Sequence, residues 1–488
     1  MKKLLTILAA CMLVVTTACS NGGGNATPTE TAASSANPTD QPVTITIVDK
    51  DLNTEDGWVK GVEEGMKAEG KNVKIELVPV QSGTYSEKLG LLLQSGNIPD
   101  LIYFQGGDYQ FAVTQGILED LTPYIEKSVN VKAAMSPFNQ ERTKNYPYLV
   151  WLAPTSNWIP VVREDWFNQT TSGKTLLEDP TVDNYYTFFK ELKEKNGASF
   201  TFTSAGSLDE LDAIFGQAFG LTSTWMKGTD GKYTFGKTTS FEKEKLAFYA
   251  KLYHEGLIDP EFLVKKWDTK EKAFYDKQAA IITGRQGKNI DIYNTKMISQ
   301  NGADAKIMPL PPAKGIAHAY SPVDVSKESR GFAIGKTSKN KEMAFAVLEF
   351  LASPKGQMLD KVGVEGQHYE RVDNKIKLTE KFAEWFPRFV ESTVNFKSDQ
   401  EFDPATPYLS EPAVKALEMM ASMSTKDNSF IIPAELSTKW DALDAYYKEF
   451  AANVVTGKRT IADFDKFVQD WNENGGKELT EYANQTIK

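Results

Sequence analysis

The sequence predicts an α/β fold in a chain long enough for two domains, and two observations carry that prediction. Segments of strand and helix periodicity alternate from residue 43 onward, and 41% of the residues are hydrophobic and 11% aromatic, an ordinary composition for a chain that buries a core. Residues 43–48 alternate as a strand, 58–70 have helical spacing, 73–80 alternate again, 85–95 are helical, and 100–104 form a short apolar strand. Strand, helix, strand, helix, strand implies a largely parallel sheet. Ligands gather beyond the carboxyl ends of such strands. Asp49, Asp51, Tyr103, Gln105 and Asp108 are therefore candidate binding residues on one rim.

The first residues form a different system. Lys2 and Lys3 precede an apolar run from Leu4 to Val15, too short to cross a hydrocarbon core of about 30 Å. Small residues then lead into Cys19, and Val15-Thr16-Thr17-Ala18-Cys19 resembles a lipobox. That resemblance implies a signal peptide over 1–18 and lipidation of Cys19; both cysteines, Cys11 and Cys19, fall here, so the mature domain is free of disulfides and free thiols, and no cofactor is expected. The rest of 19–42 is rich in Gly, Ser, Thr, Asn and Pro with almost no bulky apolar side chain, and reads as a flexible tether. Two acyl chains on one cysteine suffice for stable membrane attachment.

Charge narrows the partners. The formal net charge is −10, and no basic stripe is present to displace counterions from phosphates, so nucleic acid is not an expected partner. No internal repeat, G-x-S-x-G elbow, P-loop or H-E-x-x-H run is present. Asp49-Lys50-Asp51 superficially resembles an aspartyl-phosphatase nucleophile, but Asn53 stands where that motif needs Thr or Val. Three histidines without paired spacing make a zinc site improbable on chemical grounds.

Six motifs occur in the order found in family 1 extracellular solute-binding proteins. Gly96-Asn97-Ile98-Pro99-Asp100-Leu101 and Gln115-Gly116-Ile117-Leu118 open the series, followed by Val162-Arg163-Glu164-Asp165-Trp166-Phe167. Then come Leu252-Tyr253-His254-Glu255-Gly256-Leu257-Ile258-Asp259-Pro260-Glu261, Arg330-Gly331-Phe332-Ala333-Ile334, and Gly363-Val364-Glu365-Gly366-Gln367-His368-Tyr369-Glu370. The mature chain is identified as a member of that family and is most similar to its large LplA-like lipoprotein subfamily, whose members bind oligosaccharides. Physically, the motifs read mainly as scaffold: Gly256 supplies a left-handed helix cap, and Pro260 keeps the helix from resuming.

The resemblance implies a two-lobe, periplasmic-binding-protein-like (type II) clamp with a hinge, one lobe from 43–157 plus 330–365 and the other from 158–325 plus 370–488. It implies a monomer without catalytic activity that binds an oligosaccharide and hands it to ABC transporter permease subunits. A ligand-presenting accessory of a membrane sensor and a secreted glycan-active enzyme stand as alternatives. Sugar recognition needs aromatic faces and planar polar partners. Trp58, Trp158, Trp225, Tyr320 and Trp385 are the aromatic candidates, with Arg285 and Gln286 after the strand 279–283. An Arg285 facing the cleft would favour an acidic sugar. Some relatives carry a calcium loop after the helix that follows the D-W motif; here Asn196-Gly197-Ala198-Ser199-Phe200 lacks the carboxylates, so no metal is expected at this position.

Overall fold

The computed structural model describes residues 41–487, apart from 51, 53–54, 56, 81–84, 105–107, 137–138, 141–142, 145–146, 151–157, 286, 323, 325, 327–329, 386–400 and 431. Cys19, with the expected signal peptide and most of the tether, lies outside the described residues, as do Asp51, Gln105, Gln286 and the side chain of Asp108.

The strands are β1 (Val43–Val48), β2 (Val73–Leu77), β3 (Leu101–Phe104), β4 (Trp158–Arg163), β5 (Phe200–Phe202) and β6 (Trp225–Lys227). They continue with β7 (Tyr233–Phe235), β8 (Ala279–Arg285), β9 (Ile307–Pro309), β10 (Gly331–Ile334), β11 (Tyr369–Val372) and β12 (Lys375–Leu378). The principal helices of the first half are α1 (Trp58–Ala68), α2 (Tyr85–Gln94), α3 (Asp108–Thr114), α4 (Val182–Asn196), α5 (Asp209–Phe215), α6 (Ser240–His254) and α7 (Trp267–Tyr275). Those of the second are α8 (Lys288–Asn301), α9 (Lys341–Ala352), α10 (Pro354–Val362), α11 (Glu411–Met423), α12 (Ala434–Val455), α13 (Phe464–Trp471) and α14 (Lys477–Thr486).

The first sheet has the order β10-β3-β1-β2, with β1 parallel to β2 and β3, and β10 antiparallel at the edge. Its core takes Ile45 and Ile47 from β1, Val62 and Met66 from α1, and Val347 and Leu351 from α9. Helix α1 lies unusually close to its neighbours because a Cβ at Gly65 would overlap the Phe350 ring, and one at Gly61 would overlap Leu359. The second sheet has the order β5-β8-β4-β9 and is mixed, since β5 runs parallel to β8 while β4 runs antiparallel to both β8 and β9. Pleating divides its side chains between two cores: Val162 and Ile281 enter one with α4, α6, α12 and α13, while Ile159, Val161 and Ile282 enter the other with α8 and α11.

Successive stretches of the chain alternate between cores: described residues of 45–150 and 332–385 pack in the first, and those of 159–320 and 413–483 in the others. One boundary differs from the sequence reading. Tyr369, Ile376, Leu378, Phe382 and Trp385 pack into the first core, so the hairpin β11–β12 and its extension belong there and not to a second lobe resuming at 370. The reason is local: β12 alternates, placing Ile376 and Leu378 inward, and Phe402 and Tyr408 cover the same surface.

A carboxylate clamps one distant segment of the first lobe. Glu349 of α9 accepts hydrogen bonds from the Ser128 hydroxyl (2.7 Å) and from the N–H groups of Val129 (3.0 Å), Asn130 (2.8 Å) and Val131 (3.1 Å). Burial alone would raise its pKa, but these four bonds outweigh burial and lower it. A depressed carboxylate contributes stability that is present above the unfolded value of about 4.3 and is lost as pH falls through the folded value. Glu349→Gln is expected to cost about 1 kcal/mol at pH 7 and less at pH 3, measured by urea unfolding at both.

Candidate functional site

Beside the carboxyl ends of β5 and β8, the second lobe holds a cavity of about 330 Å³. Trp158, the first residue of β4 and the partner of Arg285 across the ladder, forms one wall. Asp209 and Asp212 line it from α5 and Gly216 from its C-cap, Lys237 follows β7, and Ser321, Pro322 and Asp324 come from the segment after β9. The opposite wall is α12, which presents Trp440, Asp444 and Lys448. Spacing of i, i+4 and i+8 puts those three side chains on one helical face. Helix α3 of the first lobe lies against α12.

The Trp158 indole is half-buried and belongs to an aromatic and cationic stack. Its ring centre lies 5.5 Å from that of Trp267, and the Arg285 guanidinium carbon and the Lys270 ammonium each lie 5.3 Å from the Trp158 ring. Lys270 is fully buried, 2.7 Å from Glu210 and 3.6 Å from the Trp267 ring centre. Burial pulls its pKa down against the opposing charge of Glu210. An ammonium beneath two indoles holds them by cation–π attraction in a partly desolvated place.

Charges in the cavity are paired tightly. Lys237 lies 3.2 Å from Asp209, Lys448 lies 3.0 Å from Asp444, and Asp212 lies 2.7 Å from the buried Lys245, which also pairs with Glu242 at 3.0 Å. Burial would raise the Asp209 carboxyl, yet Lys237, Lys448 and Lys245 hold it well below the usual carboxylate range. Asp324 is exposed and accepts the Ser326 N–H at 2.8 Å.

The structure sorts the residues expected from sequence. Trp158 lines the cavity and Arg285 stands beside it. Trp58 is 1% exposed and donates its Nε1–H to Asp360 (3.3 Å), so it is a core residue of the first lobe. Trp385, 3% exposed, donates to the Asp360 carbonyl (2.8 Å) and packs on His368. Tyr103 is packed on Phe332, and its carbonyl accepts the Tyr85 hydroxyl (2.6 Å). Tyr320 is fully buried with its hydroxyl on the Leu310 carbonyl (2.7 Å). Trp225 is fully buried between Phe430, Phe235 and Trp440. These five correct the expectation of ligand contact, because each ring is enclosed by its own lobe in this structure. Asp49 is likewise buried at the end of β1.

Residues 52–358, well over half of the chain, match the family model for bacterial extracellular solute-binding proteins. The chain belongs to this family. The solute-binding protein is 23% identical over 464 residues to lipoprotein LipO of Bacillus subtilis, covering 86% of this chain and 87% of that one. It is 24% identical over 451 residues to the polygalacturonan/rhamnogalacturonan-binding protein YtcQ of the same organism, covering 86% of each. Among solved structures, alginate-binding protein AlgQ2 without calcium superposes with a TM-score of 0.65 at 17% identity, covering 92% of this chain and 98% of AlgQ2, a likeness of fold. These neighbours share the two-lobe, type II periplasmic-binding-protein-like fold.

The sequence motifs of this solute-binding protein serve as scaffold. Asp100 accepts both the N–H and hydroxyl of Thr46 (2.8 Å each), fixing β1. Arg163 binds Asp165 through two nitrogens and lies over the Trp166 ring at 4.7 Å. Asp259, fully buried, takes the Thr203 hydroxyl (2.7 Å) and Lys265 (2.9 Å). His368 Nδ1 accepts the Val364 N–H (2.9 Å). The helix cap expected at Gly256 has φ of 65°, in the left-handed region. Among the described residues no group of three or more His, Cys, Asp or Glu is arranged to hold a metal, and no helix is long and apolar enough to cross a membrane.

Proposed function

We propose that this solute-binding protein is an oligosaccharide receptor, tethered to the extracytoplasmic face of the membrane by a lipid on Cys19, that delivers its sugar to the permease subunits of an ABC importer. The observation that carries this reading is the half-buried indole of Trp158 on the wall of a cavity otherwise rich in carboxylates and hydroxyls. A pyranose needs that combination: its C–H face packs on an aromatic ring while its hydroxyls donate to fixed acceptors. Carbohydrate-binding relatives support it, among them YtcQ and the fructooligosaccharide-binding protein FusA of Streptococcus pneumoniae. A sugar held by both lobes stabilises the closed form by whatever contacts exist only in that form.

Thermal-shift titration of the purified protein against neutral and uronic oligosaccharides and peptides tests the proposal. A native-state ligand at a hundredfold excess over its dissociation constant adds about 2.7 kcal/mol of stability. A saturable shift with one sugar class and no turnover is the expected result; a shift from peptides alone, or cleavage of the sugar, overturns it. Trp158→Ala is expected to weaken the sugar about 10- to 100-fold while leaving the melting temperature of the free protein within a few degrees, because the indole is an aromatic anchor and not a core element.

A further inference from the structure

The cavity does more than mark a sugar site; its charges specify which sugars enter. Four lining residues are carboxylic acids, Asp209, Asp212, Asp324 and Asp444, against two ammonium groups, Lys237 and Lys448. Each lysine already has a carboxylate partner. Lys237 is paired with Asp209 at 3.2 Å and Lys448 with Asp444 at 3.0 Å. The buried Lys245 behind the wall is divided between Asp212 and Glu242. Asp324 accepts the Ser326 N–H (2.8 Å), and no ammonium of the described residues pairs with it. Asp427 lies just behind the wall as well, accepting the Thr224 N–H and hydroxyl at 2.7 Å each.

We infer that the site selects neutral oligosaccharides and rejects uronic-acid chains, because its wall carries four carboxylates against two ammonium groups that are each already ion-paired. A sugar hydroxyl donates to a carboxylate and satisfies it. A uronate brings a second acceptor with a like charge into a concave, partly desolvated place, and like-charge juxtaposition there is strongly unfavourable. The opposing feature is Arg285. Its guanidinium is absent from the cavity wall and stacks at 5.3 Å on Trp158. One cation at the margin does not reverse the sign of the wall. The inference rests on the oligosaccharide-receptor reading and separates this chain from the polygalacturonan-binding relative it resembles in sequence.

Calorimetric titration of the purified protein with kestose, maltotriose, xylotriose and trigalacturonate at pH 7 reads the selectivity directly. The expected result is saturable binding of at least one neutral trisaccharide, with trigalacturonate weaker by about 100-fold or more. Asp324→Asn removes one charge of the wall and keeps its shape, and is expected to narrow the gap between the neutral sugar and trigalacturonate by about tenfold. Trigalacturonate binding as tightly as the neutral sugars overturns the inference and leaves the receptor reading standing. Binding of peptides with silence to every sugar overturns both.

Discussion

Replacing Trp225 by alanine is expected to destabilise the protein by about 3–5 kcal/mol, the range for truncating a fully enclosed tryptophan. The residue has no exposed surface, its ring lies parallel to Phe430 at 5.9 Å, and Trp440 and Phe235 close the remaining sides. Its backbone is also held from a distant segment: the Trp225 N–H donates to Asn428 Oδ1 at 3.0 Å, and Asn428 Nδ2 donates to the Trp225 carbonyl at 2.7 Å. Losing the indole therefore leaves a void where β6 meets α12. Urea unfolding should show a lower midpoint, with sugar affinity in the folded fraction reduced less than by Trp158→Ala. Unchanged stability with abolished binding would return Trp225 to the list of ligand residues.

The contrast between these two tryptophans shows what the sequence can convey. Strand and helix periodicity located β1, α1, β2, α2 and β3 to within three residues at their ends, because each element reports its own burial pattern locally. The rim rule directed attention to residues after strands, and Arg285 at the carboxyl end of β8 is one of them, whereas Trp158, expected ahead of a crossover strand, opens β4 directly opposite it. Trp225 stands in a glycine-flanked stretch that reads as a loop. Besides the nearby Phe235, what encloses it comes from Asn428, Phe430 and Trp440, some two hundred residues later, and no local pattern announces that. Trp58 and Trp385 were obscured in the same way, both meeting Asp360.

The cavity's charged residues were legible as patterns but not as a site. Trp440, Asp444 and Lys448 repeat at a four-residue interval, and Asp209, Asp212 and Gly216 at three and four, so each set marks one helical face. In a chain with 65 acidic residues such faces are frequent, and only the tertiary contact of α12 with the second lobe selects these two.

Lys245→Met is expected to cost about 3–5 kcal/mol at neutral pH, the usual result of removing one member of a buried ion-paired group. Lys245 is 1% exposed and is the ammonium between Asp212 of α5, at 2.7 Å, and Glu242 of α6, at 3.0 Å. Two phenols join the group: Tyr249 donates to Asp212 Oδ1, the oxygen Lys245 also meets, at 2.7 Å, Tyr447 donates to Glu242 Oε1, the oxygen away from Lys245, at 2.6 Å, and Lys237 lies 4.5 Å from the Tyr447 ring centre. Methionine fills much of the volume but leaves two carboxylates facing each other. Burial, with Asp212 nearby, already raises the pKa of Glu242 even though Lys245 opposes the shift, and without the lysine it must rise further. A carboxyl whose folded pKa is raised contributes its full stability below the unfolded value of about 4.3 and loses it as pH climbs through the folded value. The penalty of Lys245→Met should therefore shrink between pH 7.5 and pH 5, and adding Glu242→Gln should recover part of it at pH 7.5. A penalty independent of pH would mean that lost packing, not the stranded charge, is the cause. Because Asp212 lines the cavity, the same substitution adds negative charge beneath the sugar site, so any uronate binding should weaken further while neutral sugars are affected only through stability.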